Sequence, residues 1–199
     1  QESRGLGDVY KRQLLLLCAD ERECQRFAGD MESLTGCKPL HLPGREMHLR
    51  PAAIASRQWD YQRIAALHQL QVNAPAVVLA TAEALCQRCI PPQVLAGAVI
   101  DLAPGQRHDV AQLCRRLTDA GYTRCDQVEG AGQFALRGGI LDIFPAGERA
   151  PVRAEFFGDE VDSLGIFDPL TQRRSQAIDR ADILPVRETL PQLAEGGSA

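Results

Sequence analysis

The chain has 199 residues, 45% of them hydrophobic, which is enough for one ordinary domain or two small ones and too apolar for wholesale disorder. Its net charge is −4, and residues 122–188 carry eight arginines against twelve acidic residues, while the stretch before them is close to neutral. Neither part has the clustered cations that a phosphate backbone requires, which argues against a basic nucleic-acid surface. The longest aliphatic run, Leu14–Leu17, is far too short to span a bilayer. Seven cysteines is an odd count, scattered through apolar segments with no secretory signal, and reads as reduced cytosolic thiols.

Residues 1–13 read as a non-native leader, because Asp8-Val9-Tyr10-Lys11-Arg12-Gln13 matches the translated end of a library-preparation transposon. Leu14–Ala19 is an apolar run and predicts a buried strand. Asp20 with Glu23 has the spacing of a capping box. Cys24, Phe27, Ala28, Met31 and Leu34 then mark one helix face, which Gly36 closes. Pro39–Leu42 predicts a short strand and Pro43–Pro51 a loop. A second helix is predicted over Ser56–Leu70, and Ala76–Ala80 is another continuous apolar strand. Thr81 caps a short helix, Pro91-Pro92 ends that region, and Ala98–Leu102 reads as a third buried strand. Alternating helices and apolar strands predict a parallel sheet covered by helices.

The pattern changes near Gly105. One more helix is predicted over His108–Ala120. After it the apolar residues alternate, as in Phe134 and Leu136, or Val152, Ala154 and Phe156, and Gly158-Asp159 marks a two-residue hairpin turn. Tyr122–Leu184 therefore predicts a small antiparallel sheet. Apolar residues fall on even positions up to Leu136 and on odd positions, Leu141 and Ile143, beyond Gly138-Gly139. A turn at the two glycines accounts for the switch. Gln133, Arg137, Asp142 and Phe144 then share the outer face, with Ile140 unexplained. Two readings of Phe144 stand: an interface anchor beside Arg137, or a plug in the core near Pro145. The chain divides on this reading into 1–13, 14–105, 106–188 and a tail, 189–199.

Several chemistries lack their parts. There is no GxxxxGK[ST] phosphate loop; the two lysines, Lys11 and Lys38, both stand in the wrong context. Cys86 and Cys89 have CxxC spacing without a second ligand pair, so no metal site is expected and the two read as buried helix cysteines. His108-Asp109 reads as helix-start polarity, Arg137-Gly138-Gly139 as a turn, and no GxSxG elbow occurs.

The stretches Gly121–Glu129, Gly132–Pro145 and Pro151–Ser163, followed by Phe167-Asp168-Pro169, Thr171-Gln172-Arg173, Ile183-Leu184-Pro185 and Glu188, closely resemble transcription-repair coupling factors. Upstream, Ser56-Arg57, Arg63–Leu67 and Thr81–Leu85 with Pro91-Pro92 also fit. UvrB has a similar front end and is the alternative. It usually reads RGTFRVRGDV where this chain runs Gly132–Ile140 with a double glycine. It also carries a tyrosine-rich hairpin where Pro43–Ser56 has no tyrosine.

The resemblance implies an α/β fold, a degenerate RecA-like parallel sheet followed by a small α+β interaction domain of the UvrB type. It implies docking onto UvrA in transcription-coupled excision repair, in the bacterial cytoplasm, with no catalysis by these residues. It also implies contact with the rest of the coupling factor. RNA polymerase, DNA, ATP and Mg would engage only domains outside this stretch, and no cofactor is expected within it. Arg124, Arg137 and Phe144 match the family's UvrA contacts best, with Gln133 as a neighbour. Arg124 could equally be a surface arginine at a strand start. A stand-alone thiol enzyme is a further reading, and it would need a reactive cysteine in an electropositive cleft.

Overall fold

The computed structural model describes residues 13–45, 58–73 and 75–189. The expected leader, Gln13 aside, lies outside them, as does the tail beyond residue 189 and most of Pro43–Ser56. The chain divides into two compact units, one ending at Cys89 and the other starting at Ile90. Among the described residues no helix is long and apolar enough to cross a membrane.

The first unit is built on three parallel strands. These are β1 (Leu14–Cys18), β2 (Leu40–Leu42) and β3 (Val77–Thr81), in the order β1-β3-β2. Helices α1 (Glu21–Thr35), α2 (Gln58–Val72) and α3 (Ala82–Cys86) connect and cover them. Alternation along β3 sends Leu79 to a cluster with Cys18 and Cys24, while Val78 and Ala80 join Leu42 and Ala66 of α2. The predicted cap is present: Asp20 Oδ1 accepts from Glu23 N at 2.8 Å, and Glu23 Oε2 accepts from Ala19 N at 2.6 Å. Gly36 closes α1 at φ 68°, a left-handed position that favours glycine. Arg63 of α2 is fully buried and donates to Pro43 O at 2.7 Å, tying the helix to the segment after β2.

Three expectations for this region need correction. β1 is not buried on both faces, since Leu14, Leu15 and Leu17 are all more than half exposed. It is an edge strand, and an apolar run does not reveal whether its strand lies at an edge. Leu34 is also exposed, so the buried stripe of α1 stops short of its last turn. Cys86 and Cys89 are exposed rather than buried, because α3 ends at Cys86 and its buried contact comes from Ala84.

The second unit begins with a helix the sequence reading did not expect, α4 (Pro92–Ala98). Its proline stands in the first turn, where a missing N–H costs nothing. β4 (Ile100–Leu102) follows, and it is not a third parallel strand. It pairs antiparallel with β11 (Ala181–Ile183), so it belongs to the second unit. The division expected at 105/106 therefore falls at 89/90. Three apolar residues carry no mark of which sheet they join.

After α5 (Val110–Asp119), capped by Asp109, comes a six-stranded sheet. Its strands are β5 (Thr123–Arg124), β6 (Gln133–Arg137), β7 (Ile140–Phe144), β8 (Val152–Phe157), β9 (Glu160–Phe167) and β10 (Arg174–Ala177). They lie in sequence order, antiparallel throughout except that β5 runs parallel to β6. The parity switch is confirmed: Phe134 faces Ile143 and Leu136 faces Leu141 across the Gly138-Gly139 turn. Gly138 has φ 62°. Gly139 is needed for a different reason, because a Cβ there would meet Phe156 O at 2.8 Å. One face of the sheet buries Phe134, Leu141, Ile143, Val152, Ala154 and Leu164. The buried Tyr122 hydroxyl donates to Leu184 O at 2.7 Å and accepts from Ala146 N at 3.1 Å, pinning the start of the sheet region to its end.

Candidate functional site

The opposite face of this sheet, expected to be solvent-facing, is covered at its centre. Asp142 on β7 is 0% exposed, which corrects its expected outward position. The register shows why charge can be buried there: Asp142 stands between Ala135 of β6 and Arg153 of β8. Arg153 grips it as a fork, Nε to Oδ1 at 2.6 Å and Nη2 to Oδ2 at 2.9 Å. That bond, and the negative charge behind it, push the Arg153 guanidinium pKa further up against the opposing effect of burial. The guanidinium also lies 4.4 Å from the centre of the Phe167 ring.

Arg137 joins the same carboxylate from the end of β6. Its Nη2 donates to Asp142 Oδ2 at 2.7 Å and to Gln172 Oε1 at 3.1 Å. Gln172 also receives Arg153 Nη2 at 3.2 Å, and its backbone oxygen accepts from Arg153 Nη1 at 3.1 Å. It is the one non-glycine residue with positive φ, 59°, among the described residues, in a turn that Asp168 organises by accepting from Leu170 N. Arg137 is therefore held at its tip while its side chain stays 44% exposed. Among the described residues, its Nε and Nη1 have no partner.

An open cleft of about 520 Å³ lies beside it, lined by Arg124, Cys125, Asp126, Leu136 and Arg137. Two of the four candidate residues, Arg124 and Arg137, thus share one concavity. The other two do different work. Gln133 turns its Oε1 back to accept from Glu129 N at 2.8 Å and Gly130 N at 3.1 Å, shaping the loop before β6. Phe144 is half-buried, packed against the cluster of Val128, Ala135 and Phe167. It is therefore partly plug and partly accessible, between its two predicted readings. Burial, with Asp126 and Glu129 nearby, raises the Cys125 thiol pKa, which favours the neutral thiol.

Sequence reasoning missed the supporting residues Arg153 and Gln172. Arg153 could have been found by writing out the β7–β8 register, which places it opposite Asp142. No local signal pointed to Gln172. Reasoning also missed the fully displayed apolar residues, Phe157 at 86% exposure beside the β8–β9 turn and Leu170 at 91% in the following loop.

Residues 100–188, which span this whole site, match the model of the UvrB interaction domain. The chain is 34% identical over 198 residues to the transcription-repair-coupling factor of Myxococcus xanthus, covering 93% of this chain and 16% of that protein. With the transcription-repair-coupling factor of Escherichia coli K12 it is 37% identical over 183 residues, covering 92% of this chain and 16% of that protein. With the UvrABC system protein B of Thermosynechococcus vestitus it is 33% identical over 147 residues, covering 74% of this chain and 22% of that protein. The chain thus spans about a sixth of the length of the coupling factors it matches. The similarity is thus to the UvrB interaction domain over residues 100–188 and to transcription-repair-coupling factors over nearly all of the chain.

Proposed function

We propose that this chain is the docking front end of a transcription-repair-coupling factor and that the cleft beside Arg137 binds UvrA. The observation that carries the reading is the shared concavity of Arg124 and Arg137, with Arg137 already oriented by a buried carboxylate. A guanidinium fixed at one nitrogen offers its remaining donors to a partner carboxylate with little further loss of side-chain freedom. Leu136 on the cleft wall and the accessible edge of Phe144 supply apolar area. Gln133 acts indirectly, by holding the loop that ends at β6.

These residues work by binding and need no cofactor of their own. In the intact protein, an ATP- and Mg-dependent motor and the surfaces for RNA polymerase and DNA would lie in other domains, within the bacterial cytoplasm. Contact with those domains would govern when the cleft is open. The second reading, a UvrB front end, is supported by the 33% identity to a UvrABC system protein B. The longer match to coupling factors favours the first.

Calorimetric titration of the chain with purified UvrA tests the proposal. Truncating a central anchor costs about 2 kcal/mol, so Arg137→Ala should weaken binding roughly 30-fold. Arg124→Ala should weaken it less. Unchanged affinity in the double variant, with its circular dichroism intact, would overturn the assignment of the cleft.

A further inference from the structure

The first unit brings together three donors from a helix and a neighbouring strand. Glu21 opens α1, Cys24 lies one turn along the same helix, and His41 is the central residue of β2. Their ligand atoms all lie within 4.8 Å of one another. His41 Nε2 is 2.6 Å from Glu21 Oε2, yet the two do not meet at hydrogen-bond angles, and both atoms are buried and otherwise unpartnered. Glu21 is already oriented, since its other oxygen accepts from Gly44 N at 3.1 Å. Cys24 is fully buried, and the buried Cys18 thiol at the end of β1 stands beside it.

We propose that Glu21, Cys24 and His41 form a zinc site, with Cys18 placed to supply the fourth donor. The mixed sulfur, nitrogen and oxygen set suits a borderline cation and not calcium or magnesium, which prefer oxygen alone. Zinc bond lengths imply donor separations of roughly 3.4–3.8 Å in a tetrahedral site. The imidazole and carboxylate would move apart by less than about 1 Å, and donors at the far limit would close by a similar amount. Each thiol that binds gives its proton to solvent as the zinc–sulfur bond forms. The orphaned atoms of Glu21 and His41 would then have a partner, and the fixed Glu21 oxygen is the kind of outer contact that orients a ligating carboxylate. The site would staple the end of β1 and the start of α1 to the edge strand β2. The chemistry was not legible in the sequence because His41 reaches Glu21 and Cys24 only through the fold, whereas Cys86 and Cys89, with their motif spacing, do not belong to the cluster.

The test is titration of the purified, reduced and metal-stripped 199-residue chain with cobalt(II) as a spectroscopic stand-in for zinc. One equivalent should give the visible absorption of a tetrahedral cobalt centre with thiolate charge transfer, and zinc should bleach it. His41→Ala and Glu21→Gln should each lower cobalt affinity by about 10-fold or more, since loss of an outer contact alone costs about 10-fold to 100-fold. Cys24→Ser should weaken the charge-transfer band, and Cys18→Ser combined with Cys24→Ser should remove it; should either variant unfold, His41→Ala, on an edge strand, decides alone. A chain with Cys37, Cys86 and Cys89 all changed to serine should keep the spectrum. No tetrahedral spectrum, one that His41→Ala leaves at full affinity, or one that disappears in the triple serine variant would overturn the site.

Discussion

Replacing Arg153 with methionine should damage the second unit far more than its position near the surface suggests. The substitution keeps much of the aliphatic stem and removes the fork that neutralises Asp142. That carboxylate is 0% exposed, so water cannot take over the role of the lost guanidinium. Breaking a buried ion pair costs about 3–5 kcal/mol, because the remaining charge is left uncompensated. Arg137 stays in place with its 2.7 Å bond to Oδ2, and a charged hydrogen bond offsets about 1 kcal/mol of that loss. The expected net cost is about 2–4 kcal/mol, or a fall in melting temperature of roughly 8–30 °C for a unit of this size. Arg137→Ala should cost only about 1 kcal/mol or less, since Arg137 is 44% exposed and the Arg153 fork survives. The double change Asp142→Leu with Arg153→Met should be less destabilising than Arg153→Met alone, because it removes the stranded charge. Urea unfolding, with hydrogen exchange of peptides from β7 and β8 to read this unit separately, measures all three. If Arg153→Met fell within about 0.5 kcal/mol of the parent, or Arg137→Ala cost as much as it, the buried network would not have the structural role described.

Gly139→Ala should destabilise by about 1–3 kcal/mol in the same assay, because its methyl group would land against the Phe156 carbonyl and push β8 away. Tyr122→Phe removes a hydroxyl that serves both Leu184 O and Ala146 N inside the fold, and should cost about 1–3 kcal/mol with little change in the spectrum of the folded state. Alkylation with iodoacetamide at neutral pH, mapped by mass spectrometry, should mark the exposed Cys37, Cys86 and Cys89 first. Cys114 and Cys125 should lag, since burial raises both thiol pKa values and lowers the thiolate fraction. Rapid labelling of either would point to a reactive cysteine that the structure does not account for.

What could be read from residues alone was whatever depends on short-range geometry. The Gly138-Gly139 and Gly158-Asp159 turns were legible because a two-residue hairpin sets the register of the strands it joins. Arg137 and Asp142 were placed on one face for the same reason. Whether that face met water was not legible, because its cover comes from the Val128 loop and from Gln172, distant in sequence. β4 was assigned to the wrong sheet because its partner, Ala181–Ile183, lies some eighty residues later. The parallel arrangement of β1, β2 and β3 followed from helical connections between apolar strands, while the exposure of β1 depends on its place in the strand order. Arg124 and Arg137 were both singled out from the sequence, but only three dimensions show that one hollow contains them.

The open leucines of β1 bear on how the chain behaves in the tube. An extended segment whose outer hydrogen-bonding side is unoccupied among the described residues, with three greasy side chains, is a template onto which a second molecule can add a strand. Self-association should therefore grow with concentration and begin at this seam. A lysine in place of Leu15 or Leu17 would discourage it without touching the cleft in the other unit.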